Sequence, residues 1–234
     1  MTAKGIRTIC FDVDGTLVEH PEGKTIWQLV NERYAGGDAL NRSRMEAFRR
    51  GEITYAEWVA LDVGDWATHG VGRNEIEAIV RDELRPVPGA FETIGALAER
   101  GYTLAVVSGT LNVTVDLLLS HLPFAYCFTN RIWFDDEGKI RRWRATRYDG
   151  EGKARALERI AAEEGIPCAQ CAFVGDHWND IPALARAGFG VAYRPKEDAV
   201  RRAANAVIEE GPLSALLAWF PGPGGASRRE VRSR

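Results

Sequence analysis

Two carboxylates stand two residues apart in Asp12-Val13-Asp14-Gly15-Thr16, at the end of the apolar run from Ile6 to Phe11. A run rich in Ile and Phe and closed by Gly reads as a buried strand ending in a turn. Alternate residues of a strand point to one side. Asp12 and Asp14 are therefore expected to meet at the strand's carboxyl end, where open α/β sheets bind ligands. Two carboxylates that close repel and call for a cation, a proton or both. The pair suits an aspartate nucleophile beside an aspartate acid/base on a hard metal ion.

Three further polar clusters follow predicted strands or open predicted helices. Ser108-Gly109-Thr110 ends the apolar run Thr103 to Val107; a hydroxyl with free backbone N–H groups at a helix start is a natural phosphate cradle. Lys153, in Tyr148-Asp149-Gly150-Glu151-Gly152-Lys153, falls in the first turn of a helix. Gly175-Asp176-His177-Trp178-Asn179-Asp180 adds two carboxylates four residues apart. On a parallel sheet all four clusters converge on one edge. Four aspartates in one crevice are prohibitive alone. A divalent cation and Lys153 nearly neutralise them, and all-oxygen ligands favour Mg²⁺ over zinc or copper. Phosphoryl transfer asks mainly for positioning and charge neutralisation, which such a site supplies.

The elements that must position these residues are legible as patterns. From Phe91 onward strands and helices alternate: a helix face at Phe91, Ile94 and Leu97, a strand from Thr103, a helix over Val113 to Leu119, and a strand over Phe124 to Phe128. A hairpin from Ile132 to Trp143 turns at Asp136-Glu137-Gly138, and a helix runs from Gly152 to Glu164. Ala172 to Val174, Phe189 to Ala192 and Ala206 to Ile208 read as further strands, with a helix over Ile181 to Ala187. Alternation of this kind implies an α/β fold with a mainly parallel sheet and helices on both faces. Between Glu19 and Pro88 the texture is helical instead: Ile26, Leu29, Val30 and Tyr34; Trp58, Leu61, Val63 and Trp66; Ile76, Ile79, Val80 and Leu84. The expected organisation is a core of residues 1–18 and 89–220, a helical domain of residues 19–88, and a flexible Pro-, Gly-, Ser- and Arg-rich tail of residues 221–234.

Bulk properties narrow the classes. A length of 234 residues allows a sizeable core. A net charge of −3 gives no general attraction to nucleic acid or anionic membrane. No apolar stretch approaches a membrane span, and the first strand starts too early for a signal peptide. The cytoplasm is the expected location. Cys168-Ala169-Gln170-Cys171 is a lone C-x-x-C without a second pair or nearby His, and reads as a loop running into a strand.

The order D-x-D-G-T, strand-terminal Ser, Lys, then G-D-x-x-x-D resembles the haloacid dehalogenase superfamily of phosphohydrolases. Within it the chain looks most like the phosphoserine phosphatase branch. The stretches that carry this are Arg50-Gly51-Glu52-Ile53, Pro88-Gly89, Gly101 to Gly109, Gly175-Asp176 with Asn179-Asp180, and Ala187 to Ala192. The resemblance spans roughly residues 6 to 220. It implies a Rossmann-like core with an α-helical cap inserted after the first strand, and Mg²⁺-dependent hydrolysis of a small phosphomonoester through an aspartyl-phosphate. Asp12 is the implied nucleophile and Asp14 the acid/base. Mg²⁺ is held by Asp12, the backbone carbonyl of Asp14 and Asp176, with Asp180 orienting that shell. Ser108, Gly109, Thr110, Lys153 and Asn179 bind phosphate or substrate. Monomers or homodimers are expected.

The amino-acid readers of that branch find no counterpart. Its cap glutamate aligns near Pro21, and its cap arginine falls in Trp58-Val59-Ala60-Leu61-Asp62, where Asp62 is expected to repel a substrate carboxylate. The cap offers Trp27, Trp58 and Trp66, as helix core or as walls for a larger or less charged ester. His20 and His177 adjoin the motifs as candidate leaving-group contacts or plain loop residues. Phosphoserine hydrolysis proper, phosphate transfer to an organic acceptor through the same intermediate, and silent phosphate-ligand binding stand as alternatives. Arg141, Arg142, Arg144 and Arg147 raise a nucleic-acid phosphatase, which a solvated hairpin explains more simply.

Overall fold

The computed structural model describes residues 3–222. The chain runs β1 (Thr8–Phe11), β2 (Val18–Glu19), α1 (Ile26–Tyr34), α2 (Ala39–Arg49), α3 (Tyr55–Thr68), α4 (Arg73–Glu83), β3 (Arg85–Pro86) and α5 (Ala90–Glu99). It continues through β4 (Thr103–Leu111), α6 (Asn112–Leu118), β5 (Tyr126–Phe134), β6 (Ile140–Arg144) and α7 (Glu151–Glu164). It ends with β7 (Cys171–Gly175), α8 (Ile181–Arg186), β8 (Phe189–Tyr193), α9 (Asp198–Ala203) and β9 (Ala206–Ile208).

Seven strands form one sheet in the order β6-β5-β4-β1-β7-β8-β9, all pairs parallel except β5 with β6. The order reverses around β1, which is where such sheets open a ligand crevice at their carboxyl edge. Phe11 stands opposite both Val106 and Val174, so the residues that leave the ladder together are Asp12, the Ser108 turn and Asp176.

Both faces of this sheet are covered, and its central strands read as continuous apolar runs for that reason. Ile9, Phe11, Val106 and Val174 join one buried cluster with Ile94 and Leu97 of α5. Cys10, Val107, Phe173 and Ala192 join the opposite one, beneath Leu157 and Ile160 of α7 and Leu184 of α8. The apolar faces of α1, α3 and α4, including Leu29, Val63, Trp66 and Ile79, belong to the first cluster, so the helical segment shares a core with the sheet. Capping boxes start α1 at Thr25 with Gln28 and α3 at Thr54 with Glu57.

The observed elements depart from the sequence pattern in three places. The strand from Thr103 does not stop before Ser108; β4 continues to Leu111 with a register shift between Val107 and Leu111. The strand read at Phe124 to Phe128 and the first arm of the hairpin are one element, β5. Helix α2 left no apolar period because only Asn41 on it is buried. The expected tail coincides with described residues only at Pro221 and Gly222, and residues 223–234 lie outside them. Among the described residues no helix is long and apolar enough to cross a membrane.

Trp66 has no exposed surface, and its indole N–H donates to Asn31 Oδ1 at 2.8 Å. Trp66→Ala should cost about 3–5 kcal/mol in urea unfolding. Leu61→Ala on the same helix, where Leu61 is 45% exposed, should stay within about 0.5 kcal/mol. Equal losses would contradict the packing described for α3.

Candidate active site

The turn after β1 is wound tightly around one carbonyl: Val13 O accepts from the N–H groups of Thr16, Leu17 and Val18 at 2.8–3.1 Å. Gly15 enters this turn with φ +85°, a left-handed conformation that a side chain resists. A Cβ there would also run into the Asp176 carboxylate. The bare glycine thus lets the loops after β1 and β7 close on each other, and Thr16 Oγ1 donates to Asp176 Oδ1 at 3.3 Å.

At the end of β4 the register shift frees the backbone around Ser108. Ser108 Oγ accepts from the Thr110 N–H at 3.1 Å. The Gly109 carbonyl accepts from Asn130 Nδ2 at 2.6 Å and from Trp27 Nε1 at 2.9 Å. Gly109 is again a matter of space, because a Cβ would sit 2.7 Å from Asp149 Oδ2 and 3.0 Å from the Tyr55 hydroxyl.

Lys153, fully buried at the first turn of α7, holds the charges together. Its Nζ donates to Asp180 Oδ1 at 2.6 Å and lies 2.9 Å from Asp12 Oδ1, a charge contact without hydrogen-bond alignment. Burial alone would discharge this ammonium; Asp12, Asp180 and Asp149 outweigh it and hold Lys153 charged. Asp180 Oδ2 accepts from the N–H groups of Asp176 and His177 at 2.9 and 3.0 Å. Lys196 Nζ lies 3.0 Å from Asp176 Oδ2. Burial, then the neighbouring Asp12 charge, pushes Asp14 up to about 7. Burial also raises Asp176 and Asp180, against the pull of Lys196 and Lys153.

One carboxylate oxygen from each of Asp12, Asp176 and Asp180 lies within 4.8 Å of the others. Asp12 Oδ1 and Asp176 Oδ2 are buried and accept no hydrogen bond. The Asp14 carbonyl accepts none of the bonds of its own turn. These oxygens accept no hydrogen bond, although ammonium groups stand 2.9 and 3.0 Å from the two carboxylate oxygens, and an all-oxygen set of this kind fits a hard cation. Both Asp180 oxygens are already engaged, so Asp180 is placed to hold the cluster rather than to ligate. The Asp14 carboxylate stands outside the three-carboxylate group.

Above this floor opens a cavity of about 340 Å³. Asp12, Asp14, Ser108, Gly109, Thr110 and Asn179 line it from the core. Trp27 of α1, Met45 and Arg49 of α2, and Tyr55 and Trp58 of α3 line it from the helical segment. The fold therefore brings together every site residue expected from sequence: those six at the wall, with Lys153, Asp176 and Asp180 buried in the cluster. His177 is on the wall, whereas His20 is not; its Nδ1 accepts from the Glu22 N–H. Trp66 is core, and Trp27 and Trp58 are wall. Asp62 does not face a substrate at all. It is fully buried, held by Asn41 Nδ2 at 2.5 Å, Arg44 Nη1 at 2.6 Å and Trp58 Nε1 at 2.9 Å. Sequence reasoning missed Lys196, Asp149, Tyr55 and Arg49. Asp149 adjoins Lys153 in its motif and Arg49 directly precedes Arg50-Gly51-Glu52-Ile53; Lys196 sits in a segment with no motif or apolar period to mark it.

Comparison with known proteins gives this geometry a family context. A family model described as haloacid dehalogenase-like hydrolase matches residues 6–188. The phosphoserine phosphatase SerB2 of Mycobacterium tuberculosis is 33% identical over 227 residues, covering 97% of this chain and 52% of that protein. The phosphoserine phosphatase of Methanocaldococcus jannaschii is 30% identical over 221 residues, covering 92% of this chain and 97% of the relative. A solved structure described as a phospho-aspartyl intermediate analogue of phosphoserine phosphatase superposes with a TM-score of 0.74 at 27% identity, covering 92% of this chain and 98% of the other. The chain spans about half the length of the first of the curated relatives it matches.

Removing one partner of a buried ion pair strands the other. Lys153→Met should cost about 3–5 kcal/mol in urea unfolding with chelator present, and adding Asp180→Asn should recover part of it. Strictly additive losses would deny the pair a shared structural role.

Proposed function

The chain belongs to the haloacid dehalogenase-like hydrolases, and on that premise we propose that it hydrolyses a small-molecule phosphomonoester through an aspartyl-phosphate on Asp12, with Mg²⁺ as cofactor. The observation that carries this reading is Asp12 itself. Its carboxylate borders the cavity, has an oxygen free of hydrogen bonds, and stands 2.9 Å from the buried Lys153 ammonium. The relatives named phosphoserine phosphatase and the phospho-aspartyl analogue of one of them support the same chemistry.

In the first step a carboxylate oxygen of Asp12 attacks phosphorus and the bond from phosphorus to the ester oxygen breaks. Asp14, protonated in its buried setting beside Asp12, gives its proton to the departing oxygen, and the alcohol leaves. In the second step Asp14, now a carboxylate, takes a proton from water as that water attacks the acyl phosphate. Inorganic phosphate leaves and Asp12 is regenerated. Ser108 and the backbone of Gly109 and Thr110 cradle the phosphoryl oxygens, Asn179 orients the substrate, and Lys153 balances the charge on Asp12. Asp12, the Asp14 carbonyl and Asp176 would hold Mg²⁺, with Asp180 positioning that set, and the ion when bound would supply charge neutralisation at the transferring group. Residues 19–88 act as the cap that covers the cavity, excluding bulk water in the first step and reading the leaving group.

Asp12→Asn keeps the size of the side chain and removes the nucleophile. Turnover of para-nitrophenyl phosphate with Mg²⁺ should fall by at least about 10⁴-fold, while the thermal midpoint stays near that of the parent. A variant that retains parental turnover would end this reading.

A further inference from the structure

The substrate's leaving group can be read from the cavity wall, an inference that rests on the phosphatase reading above. The part of the wall contributed by residues 23–59 holds no carboxylate. The acids that line the cavity are Asp12, Asp14, Asp149 and Glu197, all from the core. Of these, Asp12 and Asp14 belong to the reacting end, Asp149 Oδ1 accepts from Asn179 Nδ2 at 2.8 Å, and Glu197 faces His177 at 3.9 Å. An ammonium on the leaving group would thus meet no partner on the cap side.

What the cap offers instead is apolar surface beside the neutral polar groups of Thr25, Gln28 and Asn41. Trp27, Tyr55 and Trp58 line the cavity with Met45 and Val59. The polar edges of the three aromatics are already engaged. Trp27 Nε1 donates to Gly109 O, Trp58 Nε1 donates to Asp62 Oδ2, and the Tyr55 hydroxyl accepts from Asn130 Nδ2 at 2.7 Å. Trp27 also packs on Trp66 and Trp58 on Phe48, and the ring surface left on the cavity wall favours flat apolar or aromatic bodies.

Charge is added at one point. Three cationic side chains line the cavity: Arg42, Arg49 and Lys196. Arg42 pairs with Asp38 and Lys196 with Asp176. Arg49 forms no ion pair among the described residues; its guanidinium rests 4.6 Å from the centre of the Trp178 ring. A stacked guanidinium keeps its in-plane N–H donors available, and its planar fork matches a carboxylate.

We propose that the physiological leaving group has an aromatic body that bears an anionic substituent and no ammonium, that Trp27, Tyr55 and Trp58 wall the body, and that Arg49 receives the anion. Arg49 is then a specificity residue supplied by α2, and amino-acid phosphates are poor substrates.

Three primary alkyl esters with comparable leaving oxygens test this in the 234-residue chain with Mg²⁺: para-carboxybenzyl phosphate, benzyl phosphate and phosphoserine. The expected order of kcat/KM places para-carboxybenzyl phosphate at least about tenfold above phosphoserine, with benzyl phosphate between them. In Arg49→Gln the preference for para-carboxybenzyl over benzyl phosphate should fall about tenfold, carried by KM, the size of one charge-assisted hydrogen bond at a half-open site. Arg49→Lys should restore part of that preference. If para-nitrophenyl phosphate is turned over but phosphoserine is the preferred ester, or if Arg49→Gln slows the two benzyl esters equally, the inference fails while the phosphatase reading stands. If no ester is turned over, both fail.

Discussion

Everything in this protein is arranged around the cost of gathering buried carboxylates at one sheet edge. Asp12, Asp176 and Asp180 are all buried, and like charges in such a place repel unless countercharge is built in. Lys153 supplies the fixed part from α7, Lys196 supplies a second part from the loop after β8, and the two N–H groups on Asp180 Oδ2 supply a third. Each comes from a different stretch of chain, so the site exists only when β1, β4 and β7 are side by side and α7 is docked. The two apolar clusters on either face of the sheet are what guarantee that frame.

The helical segment is tied to the same frame rather than merely laid over it. Trp27 bonds the Gly109 carbonyl and Tyr55 bonds Asn130, which itself bonds that carbonyl. On the far side, the N–H of Arg73 at the start of α4 donates to Gly138 O at the tip of the hairpin between β5 and β6. The irregular stretch of β4 that presents Ser108 is therefore also the stretch on which the helical segment is seated. Any movement of α1 away from the core must break a hydrogen bond to the Ser108-Gly109-Thr110 turn, which couples access to the cavity with the order of that turn.

What could be read from sequence follows from how local each signal is. The Asp12/Asp14 pair needs only a strand of period two and a stop, and both lie within ten residues, so its placement is legible. Lys153 and the Asp176 loop are legible for the same reason. Helix α2 is not, because it packs through Asn41 and the Arg44 ion pairs instead of an apolar stripe, and its contribution to the cavity was invisible with it. Ser108 was read as the end of a strand, yet it sits within one, because the irregularity in β4 depends on pairing with β5 and no local residue announces that. The three cap tryptophans look alike in sequence; only the contacts separate Trp66, with no exposed surface, from Trp27 and Trp58 on the wall.

Asp62 shows why residue type alone misleads about specificity. On an exposed helix face an aspartate at this place would repel an incoming carboxylate. Here it is buried and saturated by Asn41, Arg44 and Trp58, so its charge is spent inside the helical segment. That network has a second effect: it pins the Trp58 indole by its N–H and draws Arg44 toward α3 and away from the cavity. A buried acid thus fixes an aromatic wall instead of reading a substrate. On the proposed reading, the reaction centre would need its carboxylates held at the sheet edge whatever the ester, whereas the helical segment would need only to stay seated on Gly109. On the proposed reading, specificity would change through Arg49 while Asp12 and Asp180 stay held to Lys153, and Asp176 to Lys196, by charge.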